Sequence, residues 1–324
     1  MNELLDACAA YAGAQPTETL RQLTSQFLRS AREDASAVAE AAEALRTLPP
    51  QGAAFLAVAI GAAVEGGSNA DLSSRAVVDL LLSWLPQLPT AEGEEAEQYT
   101  PSAHEAQLLD AFKSLALSVV AHLARAPHLR ATLSQDIALL DRLAVLEAYS
   151  AGAAWIREML LRISGSLILL HVPGGRGFRL QYRNIATCFH LFSLVQAAIG
   201  EQLPGGRKPD PIIAAAARGR TTDKVKDEAW WHYGDPRTTK ADLRHSIWGE
   251  ALVREIPVID GQRVILLWPA ILESRTWDSS FFGPQLDALM PDVTLEAELS
   301  TADCAGWFRT LGIDRAGRRW WQLW

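Results

Sequence analysis

The apolar residues of this chain change their spacing at Gly165, and that change limits the fold more than any motif does. Before it they recur every three or four positions, as at Leu20, Leu23, Phe27 and Leu28. Leu108, Leu109, Phe112, Leu115, Val119, Val120 and Leu123 repeat the pattern. This is the spacing of one face of a helix. After Gly165 come short β-rich runs: residues 166–172, 178–185, 258–268 and 293–299. The expected fold is therefore a mainly α N-terminal half followed by an α+β C-terminal half. The first is a helical bundle or a degenerate helical-hairpin array, and the second carries a small antiparallel sheet. The corresponding domains are 1–165 and 166–324.

Punctuation along the first half supports this division. Pro16-Thr17 starts a helix, Asp34 opens another, Pro49-Pro50 stops it, and Gly66-Gly67 closes the run at 51–65. The acidic interval 90–101 reads as a solvated loop, because its like charges repel and it lacks apolar anchors. Further helical stretches run from Leu129 to Ala144 and through Trp155. No fixed repeat period emerges. The most apolar run, residues 52–64, is 13 residues long, short of the ~20 that span a bilayer, and reads as a buried helix.

In the second half, "PGGRG" (173–177) separates two β-rich runs as a hairpin turn. It lacks the spacing of a phosphate-binding loop. Asp260-Gly261 joins two strands, and both residues tolerate the positive φ of a two-residue type I′ turn. A helix is expected near 186–200, a short one near 211–218, and another from Ser300 or Thr301.

Charge follows the same boundary. Residues 1–165 carry 11 basic and 20 acidic side chains; residues 166–324 carry 19 and 18. Nine of the 11 tryptophans lie at or after Trp230. The net charge of −8 argues against general binding to nucleic acid or anionic membranes. Three distant cysteines, Cys8, Cys188 and Cys304, form no CxxC pair, which implies reduced thiols and a cytoplasmic setting. No basic, then apolar, leader opens the chain. Neither a cofactor nor a metal is expected, since there is no HExxH and no close cluster of ligating residues.

Chemistry-bearing residues concentrate in 218–250. "AWWHYGDP" (229–236) sets Trp230, Trp231, His232 and Tyr233 in succession, an arrangement that suits neither an amphipathic helix nor a half-buried strand. An ordered loop with its rings packed on the sheet is the expectation. His232, Asp235, His245 and Glu250 are the candidates for acid–base work, because imidazoles near carboxylates titrate around neutral pH. Trp230, Trp231, Tyr233, Arg237 and Arg244 are the candidates for binding, as aromatic rings and arginines dominate contact surfaces. Cys188 and His190 stand two apart on a helix and so point away from each other, which excludes a direct thiol–base contact. The Trp-rich "GRRWWQLW" (317–324) reads as a segment folded onto the sheet.

Three functions fit. The first is a non-enzymatic protein–protein interaction or adaptor protein with a protein partner. The second is a hydrolase or transferase with its site around 218–250. The third is a single-strand nucleic-acid binder using 207–240, which interleaved acids such as Asp210, Asp223 and Asp227 make less favourable.

Overall fold

A computed structural model describes residues 1–13, 15–203, 206–221, 226–228, 231–272, 274–276 and 289–313; for 226–228 and 274–276 it describes the backbone alone. The chain divides into two compact units, one holding Met1–Leu160 and the other beginning at Leu161.

The first unit is helical. Among the described residues its helices are α1 (Asn2–Ala9), α2 (Glu18–Glu33), α3 (Ser36–Ala44), α4 (Pro50–Glu65), α5 (Ser74–Trp84), α6 (Gly93–Gln98), α7 (Ala103–Arg125), α8 (Pro127–Leu133), α9 (Ile137–Leu146) and α10 (Ala151–Leu161). The expected start signals act through side chains. Thr17 Oγ1 accepts from Leu20 N at 3.2 Å, and Asp34 Oδ1 accepts from Ser36 N at 2.8 Å. Ser102 and Glu105 cap α7 reciprocally, at 3.3 and 2.8 Å. The acidic interval departs from the expected loop: Gly93–Gln98 forms the short α6, with no buried residue. The Leu129–Ala144 stretch is two helices, α8 and α9, because Asp136 caps a new start by accepting from Leu139 N.

Helix α7 forms the core of this unit. It is long and apolar enough to cross a membrane by length and composition, and 67% of its apolar window is buried inside the structure. His122 lies in that core at 0% exposure, with Nε2 2.9 Å from Ser73 Oγ and Nδ1 2.6 Å from the Ser118 carbonyl. The run at 52–64 is the buried helix α4. Small residues on α4 permit close approach: a Cβ added at Gly52 would lie 2.1 Å from the Cys8 carbonyl oxygen of α1.

The second unit is α+β. Its strands are β1 (Ile163–His171), β2 (Arg176–Ile185), β3 (Lys226–Glu228), β4 (His232–Gly234), β5 (Val258–Ile259), β6 (Gln262–Trp268), β7 (Ser274–Thr276) and β8 (Asp292–Glu298). Its helices are α11 (Cys188–Ile199), α12 (Pro211–Ala217) and α13 (Thr301–Thr310). The main sheet runs β4-β6-β1-β2-β8, with β5 also paired to β6; β3 and β7 form a separate pair. The sheet is mixed rather than antiparallel. β1 and β6 run parallel, with Leu167 opposite Arg263 and His171 opposite Leu267. "LILL" and "VILLW" are continuous apolar runs rather than alternations, which is the pattern of strands covered on both faces. Leu167, Leu169, Ile265 and Leu267 face a core shared with α11, while Ile168, Leu170, Val264 and Leu266 face one shared with α13.

Both expected hairpins are present. β1 and β2 pair from Ile163↔Ile185 to His171↔Arg176. In the turn between them Gly174 N donates to His171 Nδ1 at 3.1 Å. Asp260 and Gly261 have φ of 48° and 75° between β5 and β6, the positive values a type I′ turn requires. Residues 317–324 lie outside the described residues.

The contrast between two glycines tests this packing. Gly52→Ala forces the α1 backbone away and is expected to cost about 1–3 kcal/mol. Gly306, in α13, has nothing within 4 Å of an added Cβ, so Gly306→Ala is expected to stabilise by about 1 kcal/mol. Urea midpoints of the two variants check both signs.

Candidate functional site

The candidate site grows from β4. Trp231 and Tyr233 point into the core beside α11, at 6% and 3% exposure, and His232 between them is buried at 6%. The aromatic stretch thus includes a strand buried on both faces, not the expected loop. Alternation along an extended backbone sends successive rings to opposite sides, so ring after ring is tolerated where both sides are packed. Tyr233 stacks on Phe192 of α11 with centroids 3.6 Å apart, and its hydroxyl donates to the Phe192 carbonyl at 3.3 Å. Trp230 lies outside the described residues.

The outer edge of β4 is closed by residues 242–247. Ile247 N donates to the Tyr233 carbonyl at 2.8 Å, and Asp235 N donates to the His245 carbonyl at 2.9 Å. Further on, the carbonyls of Gly249 and Ala251 accept from Phe189 N and Cys188 N, both at 2.8 Å. The first amides of α11 are therefore satisfied by this loop. The loop also stitches itself. Asp242 Oδ1 accepts from Arg244 N at 3.0 Å and from His245 Nδ1 at 2.6 Å. Asp235 accepts from Arg237 N at 2.8 Å and from Arg237 Nε at 3.0 Å.

These contacts set the charges. The hydrogen bond from His245 holds the Asp242 carboxyl below its ordinary range. Partial burial pushes Asp235 upward, but the hydrogen bonds from Arg237 outweigh it and leave that carboxyl lowered too. Burial lowers the His232 pKa, with Asp242 acting in the opposite direction. His232 Nδ1 lies 3.3 Å from Ser246 Oγ, whereas its Nε2 is buried with no hydrogen-bond partner among the described residues. Trp268 Nε1 is buried and unpartnered as well; Trp268 stands opposite His232 in the ladder. Beside His232 lies a cavity of about 30 Å³, lined by Trp231, Tyr233, Leu243, Ser246, Ile247 and Trp248 among others.

The residues singled out in the sequence separate into three groups. His232, Trp231 and Tyr233 meet at the cavity. Asp235 forms an ion pair with Arg237, and His245 a hydrogen bond with Asp242, both within the loop. Arg244 and Glu250 are exposed. Sequence reasoning missed Ser246, Leu243 and Trp248, which reach the site only because residue 246 bridges to Gly234. Of the basic run from 207, Lys208 pairs with Glu201 at 2.8 Å and Arg218 with Asp292 at 3.7 Å. Residues 222–225 lie outside the described residues, and so do Asp223 and Lys224 with them.

Cys188 is fully buried, and burial pushes its thiol far up, which makes it inert. His190 Nδ1 pairs with Thr187 Oγ1 at 3.1 Å. No group of three or more His, Cys, Asp or Glu among the described residues is arranged to hold a metal. Comparison with protein-family models, with curated proteins and with solved structures yields no match.

The neutral, buried His232 makes stability depend on pH. Its folded pKa is lowered from the ~6.5 of an unfolded chain. Above that pH the ring is neutral in both states and this contribution is complete. As pH falls through about 6.5 toward the folded value, the unfolded chain takes up the proton first and stability is lost. His122 acts in the same direction. Unfolding free energies measured from pH 7.5 to 5 are expected to decline, and His232→Phe is expected to decline less. Parallel curves for parent and variant would count against a buried neutral ring.

Proposed function

We propose that the protein is a non-enzymatic adaptor. Its contact surface is the 235–250 loop, and its partner is a protein segment carrying acidic and apolar side chains. One observation carries this reading: exposed apolar anchors share the loop with cations that lack an acidic partner. Leu243 and Trp248 retain 39% and 38% exposure at the rim of the cavity. Arg237 is paired with Asp235, and the Asp242 carboxylate is taken by His245. Lys240 and Arg244 form no ion pair among the described residues, and both are exposed. A tryptophan beside arginine is the composition of binding hot spots, and rim cations steer an acidic partner.

The cavity supports the same reading, since about 30 Å³ suits a side-chain tip better than a metabolite. Cys8, Cys188 and Cys304 are buried and none is in a disulfide, which supports a reducing, cytoplasmic setting.

A hydrolytic reading has one observation in its favour, the Ser246–His232 contact. It uses Nδ1 at 3.3 Å, and Ser246 Oγ also lies 3.4 Å from the Asp242 carbonyl, which competes for the same proton. It ranks second.

Selection of displayed peptides on the intact protein tests the adaptor reading. Enriched sequences are expected to combine Asp or Glu with an apolar anchor. Trp248→Ala and Arg244→Glu are each expected to weaken the selected peptides about tenfold or more, with the melting temperature unchanged. Peptides that bind both variants as tightly as the parent would remove this surface from consideration. Covalent labelling of Ser246 by a fluorophosphonate would put the hydrolytic reading first.

A further inference from the structure

Helices α1, α2 and α3 of the first unit enclose a cleft of about 510 Å³. That volume is in the range of ligand sites and holds several amino-acid side chains. Its buried lining is Leu4 and Phe27, and Leu23 and Ala37 add partly exposed apolar surface. Helix α2 contributes Leu23, Gln26, Phe27 and Ser30, a three-and-four spacing that sets all of them on one face. The arginines of α2 are turned elsewhere. Arg21 and Arg32 stand two positions from Leu23 and Ser30, on the far side of the helix, and Arg29 does not line the cleft either.

The charged side chains along the cleft are all acidic: Glu3 on α1, Asp34 between α2 and α3, and Glu40 on α3. Glu3 and Glu40 are exposed and form no ion pair among the described residues. Asp34 accepts from the Ser36 hydroxyl at 2.6 Å and from the Ser36 amide at 2.8 Å. Both donors are neutral; they lower the Asp34 pKa and leave its charge uncompensated. Met1 also lines the cleft, and its amino group offsets at most one of the three negative charges. Apolar surface beneath an acidic rim is complementary to an apolar side chain flanked by cations. A bare metal ion or polyamine would leave the apolar surface uncovered.

We propose that this cleft is a docking groove for a basic protein segment. An apolar side chain of the segment seats between the three helices, and Lys or Arg side chains flanking it pair with Glu3, Asp34 and Glu40. The anchor supplies most of the affinity, and the rim pairs supply selectivity and faster encounter. The same rim repels acidic segments and nucleic acid. The proposal goes beyond the adaptor reading of the 235–250 loop, which faces an acidic partner. It gives the protein a second contact surface of opposite preference.

The test is an amide NMR titration of the intact ¹⁵N-labelled protein with the peptide acetyl-Arg-Leu-Leu-Arg-amide. Acetyl-Glu-Leu-Leu-Glu-amide, acetyl-Arg-Gly-Gly-Arg-amide and magnesium chloride are the controls. The basic apolar peptide is expected to shift the amides of Glu3, Ser30, Ala37 and Glu40 and to saturate them, and no control does so. Glu3→Gln and Glu40→Gln are each expected to weaken it about two- to fivefold. Ser30→Trp, which fills the cleft, is expected to abolish binding. Glu94→Gln, on the exposed helix α6, is expected to change nothing. The glutamine substitutions keep the side-chain shape at exposed positions, so they carry the test even if Ser30→Trp unfolds the protein. A silent titration with the basic apolar peptide overturns the proposal. So does a matching response to the acidic peptide, the glycine peptide or magnesium, or an equal loss in Glu94→Gln. The cleft shares no residue with the 235–250 loop, so failure here leaves peptides selected on that loop unaffected, and their absence leaves the cleft's response intact.

Discussion

The second unit depends on the pairing of β1 with β6. These two strands are distant in sequence and lie side by side in parallel, each covered on both faces. Such strands offer no polar face, so their ladder hydrogen bonds and their apolar side chains must be satisfied together. Everything else in the unit attaches to this pair. β2 folds back on β1 through the Gly-rich turn, and β5 folds onto β6 through Asp260-Gly261. β4 occupies the remaining stretch of β6 and carries the candidate site with it.

That attachment explains why the site is built as it is. β4 is three residues long, too short to hold its place by ladder bonds alone. Three other interactions fix it: Tyr233 stacked on Phe192, Trp231 in the α11 core, and the loop at 242–247 hydrogen-bonded to its free side. Two of the loop's carboxylates, Asp235 and Asp242, are engaged in holding its shape, through Arg237 and His245. What remains exposed on it is the apolar rim of Leu243 and Trp248, with Lys240 and Arg244, which form no ion pair among the described residues.

Much of the architecture was legible in the sequence, for physical reasons. Helical spacing and cap residues are local, so α2 starts after Thr17 as its start signal predicts, and α4 and α7 contain the apolar runs at 52–64 and from Leu108 to Leu123. Asp260-Gly261 was readable because positive φ at two successive positions is a strong demand on residue type. The parallel pairing was not readable: β1 and β6 lie about 95 residues apart, and no local signal states which distant run an apolar strand will join. The site was half legible. Trp231, His232 and Tyr233 stood out by composition, yet their burial follows from a strand whose two faces are both covered. Ser246 is an ordinary serine in the sequence, and only its bridge to Gly234 brings it to the imidazole.

The closed edge of β4 has a consequence for how this protein behaves in concentrated solution. A strand whose outer amides and carbonyls face water is a template for other chains, and open sheet edges invite runaway association. Here the Tyr233 carbonyl and the Asp235 amide are taken by the loop that also displays Leu243 and Trp248. The loop that displays Leu243 and Trp248 therefore doubles as a guard against aggregation. Whatever lifts the loop bares a tryptophan and an unpaired strand in the same motion. The molecule is safest in a crowded cell while that loop stays shut.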